Sequence, residues 1–103
     1  ALEGKKPFVY SITTFLLYRP FETIRTYVDH EKIPVRLVGS GRDKDYAHDG
    51  FSHWSEDIYE EQSGHNNLFW NIASLWPETK EEIPSLVKQM VGKNKPQFIS
   101  LRR

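Results

Sequence analysis

Hydrophobic and polar residues switch between two spacings along this chain, and each switch marks an element. Phe8, Val9, Tyr10 and Ile12 form a β-branched and aromatic run across Pro7 to Thr13, which predicts a first strand. Pro20 then suits a first helical position, and Phe21, Ile24, Arg25 and Val28 follow at helical spacing, with Val28 the last apolar turn. Lys32-Ile33-Pro34 breaks that helix, and Ile33 to Gly39 predicts the second strand. Ser40 to His53 is a polar loop, with glycines at Gly39, Gly41 and Gly50. Ser55-Glu56-Asp57 has the form of a helix start, with a hydroxyl N-cap and acids in the first turn. Beyond Ile58 and Tyr59 that helix turns polar, and Gly64-His65-Asn66-Asn67 is turn chemistry.

Leu68 to Trp76 predicts a third strand, although its apolar residues do not alternate cleanly. Thr79 with Glu82 is a capping box opening a last helix whose apolar stripe is Ile83, Leu86, Val87 and Met90. Pro84 inside it is expected to remove a hydrogen bond, Gly92 closes it, and Pro96 to Leu101 predicts the fourth strand. The order β-α-β-α-β-α-β predicts an α/β fold: a parallel β-sheet with right-handed βαβ crossovers. A parallel sheet needs both faces covered, and three helices, one of them polar, fall short of that for four strands. A further segment or a partner chain is therefore expected to supply the remainder.

Composition narrows the function classes. The chain has 103 residues, which bounds it to one domain. Fourteen basic and fourteen acidic residues cancel, so no electrostatic footprint for nucleic acid or an anionic membrane exists. No apolar run is long enough to span a bilayer, and no signal-peptide pattern is present. Cysteine is absent, which excludes disulfide scaffolds and thiol chemistry and fits a cytoplasmic chain. Ala1-Leu2-Glu3-Gly4 has the form of a last helical turn with a glycine cap, and Gln97 to Arg103 stops at a strand end, so both ends read as cut from a longer polypeptide.

The candidate chemistry lies on the two loops that follow the first two strands, where open α/β sheets hold ligands. Phe15, Tyr18 and Phe21 recur every third residue after the first strand, either as a stacking pocket for a flat ring or as core at a strand-to-helix corner. Asp49, Ser52 and His53 stand either as hydroxyl-binding groups, with His53 a proton carrier, or as an Asp-Gly turn and helix cap. A Ser-His-Asp hydrolase is disfavoured by the order and by the lack of a nucleophile elbow. His30, His48, His53 and His65 show no i, i+4 pair, so no metal site is expected. Asp43 to His48 begins like a calcium loop but lacks its third acid and glycine, and Gly39-Ser40-Gly41-Arg42 is a weak phosphate-loop signal without a helix start.

In combination, several segments resemble the pyrimidine-binding domain of transketolase-type thiamine diphosphate enzymes. They are Pro7 to Phe15 with Tyr18 and Phe21, Asp49-Gly50-Phe51-Ser52-His53 with Glu56-Asp57, Trp76-Pro77-Glu78-Thr79, and the closing strand before Arg102-Arg103. The resemblance implies a thiamine diphosphate-binding-fold pyrimidine domain, incomplete at its N-terminus, with residues 1–103 as one partial domain. It implies that Phe15, Tyr18 and Phe21 pack around the cofactor's pyrimidine ring, that Asp49 and His53 contact the sugar substrate, and that His53 acts catalytically. Trp54 stands where the family commonly has glutamine, Phe51-Ser52 stand in place of the family's Pro-Thr, and the stretch from Tyr59 to Asn67 is longer and more polar than the family's.

The glutamate that activates the ring would lie upstream of Pro7 and is not in this chain. The diphosphate and its magnesium would be held by another domain or a second subunit, in a full enzyme that is a dimer. The activity implied is transfer of a two-carbon ketol unit between sugar phosphates. An isolated chain is expected to be inactive. The alternative is a stand-alone, catalytically inactive interaction or scaffold module with the same fold.

Overall fold

The computed structural model describes residues 6–62 and 65–102. The helix end read at Ala1 to Gly4, part of the Gly64 turn, and Arg103 lie outside the described residues. Strand β1 (Phe8–Ile12) leads directly into helix α1 (Thr13–Leu17), and a turn leads to helix α2 (Phe21–Thr23). Strand β2 (Arg36–Ser40) is followed by two single-turn 3₁₀ segments, Ala47–Asp49 and Phe51–His53. A small hairpin of β3 (Glu60–Gln62) and β4 (His65–Asn66) precedes β5 (Ala73–Leu75), then helix α3 (Ile83–Gly92) and β6 (Gln97–Leu101).

Four strands form one parallel sheet in the order β1-β2-β6-β5. The predicted α/β class and parallel sheet are therefore the observed ones. Leu37 and Phe98 are register partners on one face. There they join Leu16, Leu17, Ile24, Ile58, Phe69 and Ile72 in the main core, beneath α1 and α2. Arg36 and Gln97 are partners on the opposite face, which α3 covers. The Arg36 side chain is almost wholly buried and donates to the carbonyls of Pro34, Met90 and Lys93. The last two are at the C-terminal end of α3, where carbonyls lack helical partners and the helix dipole favours a cation. Both faces of the central strands are thus filled. The edge strand β1 is not: Phe8, Val9 and Tyr10 are 43, 44 and 67% exposed.

Three predicted elements differ, each for an identifiable reason. No helix starts at Ser55. The Ser55 hydroxyl, which as an N-cap would accept from the next turn, instead donates to the Gly41 carbonyl at 3.5 Å, its N–H donates to the Asp43 carbonyl at 2.8 Å in an isolated bridge, and the chain runs on into the β3–β4 hairpin. The third strand shrinks from Leu68–Trp76 to Ala73–Leu75 because its first amides are taken by side chains. Asn66 Oδ1 accepts from the N–H groups of Leu68 and Phe69, and Asp29 accepts from those of Trp70, Asn71 and Ile72. Pro84 falls at the start of α3, behind the 3₁₀ turn Lys80–Glu82, where it interrupts no helical ladder. The capping box is present, with Glu82 Oε2 accepting from the Thr79 N–H at 2.9 Å.

The helix predicted from Pro20 forms, but α2 passes into a π-helical stretch, Ile24–Asp29. The His30 N–H donates to the Arg25 carbonyl, five residues back. In an α-helix, residues five apart are rotated by about 140°. The wider turn lets Ile24 and Asp29 both face inward.

Candidate functional site

Thr13 and Thr14, at the junction of β1 and α1, tie together the loops at the C-terminal ends of the sheet. Thr13 Oγ1 donates to the carbonyls of Ser40, at 3.2 Å, and Gly41, at 2.7 Å. Thr14 Oγ1 donates to the Ser52 carbonyl at 2.6 Å, fixing the segment that carries His53. In sequence both threonines read only as part of the first strand and the loop after it. Their spacing carries no signal for these bonds, because the partners are 27 to 38 residues away.

This tether brings two predicted residues into contact. The Phe15 ring meets the His53 imidazole edge-on, with centroids 4.7 Å apart and planes at 68°. Tyr46 lies on another side of the imidazole at 6.4 Å, and its hydroxyl is 2.6 Å from Ser40 Oγ. His53 Nδ1 is 3.0 Å from Ser52 Oγ. A Ser52 hydroxyl that donates to Nδ1 leaves Nε2 protonated and a donor, whereas one that accepts from Nδ1–H leaves Nε2 as the basic nitrogen. The imidazole therefore has the chemistry of a proton carrier, held by aromatic rings at the mouth of the sheet. The Arg19 guanidinium rests over the Phe15 ring, 4.3 Å from its centroid.

Backbone shape reinforces the loop. Gly50 joins the two 3₁₀ turns with φ 88° and ψ −179°, a conformation essentially restricted to glycine. Asp49, one residue earlier, is exposed, and among the described residues it has no bond to His53.

The other two aromatics point elsewhere. Phe21 stacks on Phe69 with centroids 5.5 Å apart and packs against the main core. Tyr18 reaches Asp57: burial, then a hydrogen bond to that carboxylate and its charge, raise the phenol well above its usual value. The three-residue aromatic spacing is therefore split between a loop contact, an acid contact and a core contact.

Arg42 shows why the Gly39-Ser40-Gly41-Arg42 segment is not a phosphate loop. Its side chain is buried and donates to Ser100 Oγ, the carbonyls of Ser100 and Pro77, and Glu78 Oε1. Gly41, with φ 88°, leaves room for the Tyr46 ring, which a Cβ at that position would strike. Arg102, next after β6, pairs with Asp43, Asp45 and Glu78 at 3.3, 3.2 and 3.5 Å. Among the described residues, no three His, Asp or Glu side chains gather to hold a metal ion, and no helix is long and apolar enough to cross a membrane.

No family model matches the chain, and no curated protein does. Among solved structures, it is similar to one described as a split-gene transketolase in an inactive β4 tetramer, with a TM-score of 0.74 and 22% identity. The match covers 99% of this chain and 31% of that one, so the chain spans about a third of that protein's length. At that identity the likeness defines architecture: this is a mixed α/β domain on a four-stranded parallel sheet, with a transketolase-like fold.

Proposed function

We propose that this chain is the pyrimidine-binding part of a transketolase-type enzyme and carries one half of a thiamine diphosphate site. The observation that supports this most directly is the Phe15–His53 contact at the C-terminal ends of the sheet, within a transketolase-like fold. The residues fit a flat ring in part. Phe15 offers a half-buried ring beside the imidazole, and the exposed Arg19 over its face is free to swing aside. Tyr18 and Phe21 are engaged by Asp57 and Phe69, so they serve the ring by holding the corner that presents Phe15.

Thiamine diphosphate, when bound, supplies the carbanion chemistry that moves a two-carbon ketol unit from a ketose to an aldose. His53 moves a proton at a substrate hydroxyl, and Asp49 on the same loop accepts hydrogen bonds from the sugar phosphate substrate. A second domain or subunit holds the diphosphate and its magnesium, in an assembly of at least two subunits.

In the assembled enzyme, His53→Ala is expected to lower ketol transfer by about a hundredfold. Phe15→Ala is expected to weaken cofactor binding by roughly tenfold, read by titrating the assembly with thiamine diphosphate. Unchanged kinetics and affinity in both variants would refute the assignment. A second reading follows from the neighbour's description as an inactive tetramer. In that reading the chain is a catalytically inactive interaction or scaffold module with the same fold, and a folded chain that ignores thiamine diphosphate in every assembly would support it.

A further inference from the structure

A concavity lies at the ends of the strands opposite the Phe15–His53 corner. It is a cleft of about 440 Å³ lined by Arg25, Thr26, Asp29, His30, Leu68, Trp70 and Asn71. The π-helical stretch that precedes β2 forms one wall, and the segment that precedes β5 forms the other. It therefore borders the N-terminal ends of the parallel strands, away from the Phe15–His53 corner. Its volume falls in the range of about 300–1,000 Å³ typical of small-ligand sites.

Three observations mark it as built rather than incidental. First, buried Asp29 locks the two walls together. Its carboxylate accepts from the backbone N–H groups of Trp70, Asn71 and Ile72 at 3.2, 2.6 and 3.0 Å, and its carbonyl accepts from Asn71 Nδ2. Second, the clamped segment holds the Trp70 indole in the open: it is 87% exposed, the most exposed large hydrophobic residue described. Among the described residues no ring stacks on it, whereas Trp54 and Trp76 both have aromatic partners. Third, Arg25 faces the same space with no ion-pair partner among the described residues, while the lone acid of the lining has its oxygens engaged by the three amides. His30 adds an imidazole, weakly offset by Glu31 at 3.5 Å.

An open indole offers a stacking face, and a guanidinium offers a planar, two-pronged anion contact. Thr26 and Asn71 add short-range polar groups. We propose that this cleft binds a flat-ring anion of mononucleotide size, its ring stacked on Trp70 and its phosphate held by Arg25 with His30. The proposal stands independently of the ketol-transfer reading, since no residue is shared.

Adenosine 5′-monophosphate is the probe, with adenosine and inorganic phosphate as separate arms and the whole chain as the protein. Saturable quenching of indole fluorescence is expected, together with amide and indole NMR shifts at Arg25, Trp70 and Asn71 and none at Phe15 or His53. Trp70→Phe should abolish the quenching, leaving Trp54 and Trp76 as folded-state reporters. Arg25→Gln should weaken binding by about tenfold for the nucleotide and leave the weaker binding of adenosine unchanged. Both side chains are exposed, so neither variant threatens the fold. No saturable response at about 1 mM nucleotide would overturn the proposal. So would affinity indifferent to both substitutions, shifts confined to the Phe15–His53 corner, or self-association that Trp70→Phe abolishes without any nucleotide binding.

Discussion

At the scale of single residues, the groups that organise this molecule are polar side chains that satisfy backbone atoms far along the chain. Asp29 is the clearest case. It sits at the end of the π-helical stretch, 7% exposed, with three backbone N–H groups from residues 41 to 43 positions away on its carboxylate. Removing the carboxylate strands those amides in a site that water only partly reaches. Asp29→Ala should therefore lower unfolding stability by about 2–4 kcal/mol in urea titrations, and Asp29→Asn, which keeps one acceptor oxygen, by less. Equal stability of the alanine variant would show that the loop finds other partners at no loss. The sequence conceals this role, because the apolar stripe ends at Val28 and an α-helical count sets Asp29 about 140° from Ile24, at the polar border of the stripe. The π turn brings it inward. Phe15 and His53 were both legible as candidates from residue type and loop position, but their contact rests on Thr14 reaching Ser52, which no local spacing encodes.

At the scale of elements, local signals succeeded where the chain's own neighbours decide the conformation. The first, second and fourth strands are apolar runs whose ladders form as their composition suggests, and the Thr79–Glu82 box opens α3 as its spacing predicts. Signals failed where a distant group took the backbone atoms. Ser55 has the chemistry of an N-cap, yet its hydroxyl turns to the Gly41 carbonyl and its N–H to that of Asp43, and the amides of Leu68 to Ile72 serve Asn66 and Asp29 instead of a ladder.

The capping box also sets a pH dependence. Backbone hydrogen bonds from Thr79 and Glu78 hold the Glu82 carboxyl below its ordinary value of 4.5. Its folded pKa is depressed, so its contribution to stability is fully present above about pH 4.5 and is lost as pH falls through the lower folded value. In Glu82→Gln that increment of acid sensitivity should disappear, as read from denaturation midpoints between neutral pH and about pH 3. An unchanged slope would mean that the carboxylate is not the group that titrates.

At the scale of the whole molecule, and among the described residues, the sheet is finished in its middle and open at one side. The central strands are packed on both faces, with Phe98 and Ile99 almost fully buried, as a parallel sheet requires. The strand β1 presents Phe8, Val9 and Tyr10 to solvent at the sheet edge, and an edge with apolar side chains and unpaired backbone groups is a template for another chain. The shortage of covering helices was legible from the element count. Its location was not, because β1 reads from sequence as apolar a strand as any other and only the order β1-β2-β6-β5 puts it outermost.

Self-association should therefore run through this edge. Sedimentation velocity across a concentration series should show larger species growing in as concentration rises. Tyr10→Lys adds a charge to the edge on the face opposite Leu37 and Phe98, at a side chain 67% exposed, and it should shift that series back toward the monomer while leaving the unfolding midpoint nearly unchanged. The control is Trp70→Phe, at the other end of the molecule, which should leave the series as it is. A chain that stays monomeric at every concentration, or an association that Tyr10→Lys does not weaken, would show that the open edge is tolerated rather than used. The distinction bears on function. A site assembled from two chains requires a surface that joins them, and β1 leads directly into Thr13, Thr14 and Phe15, which hold the His53 corner.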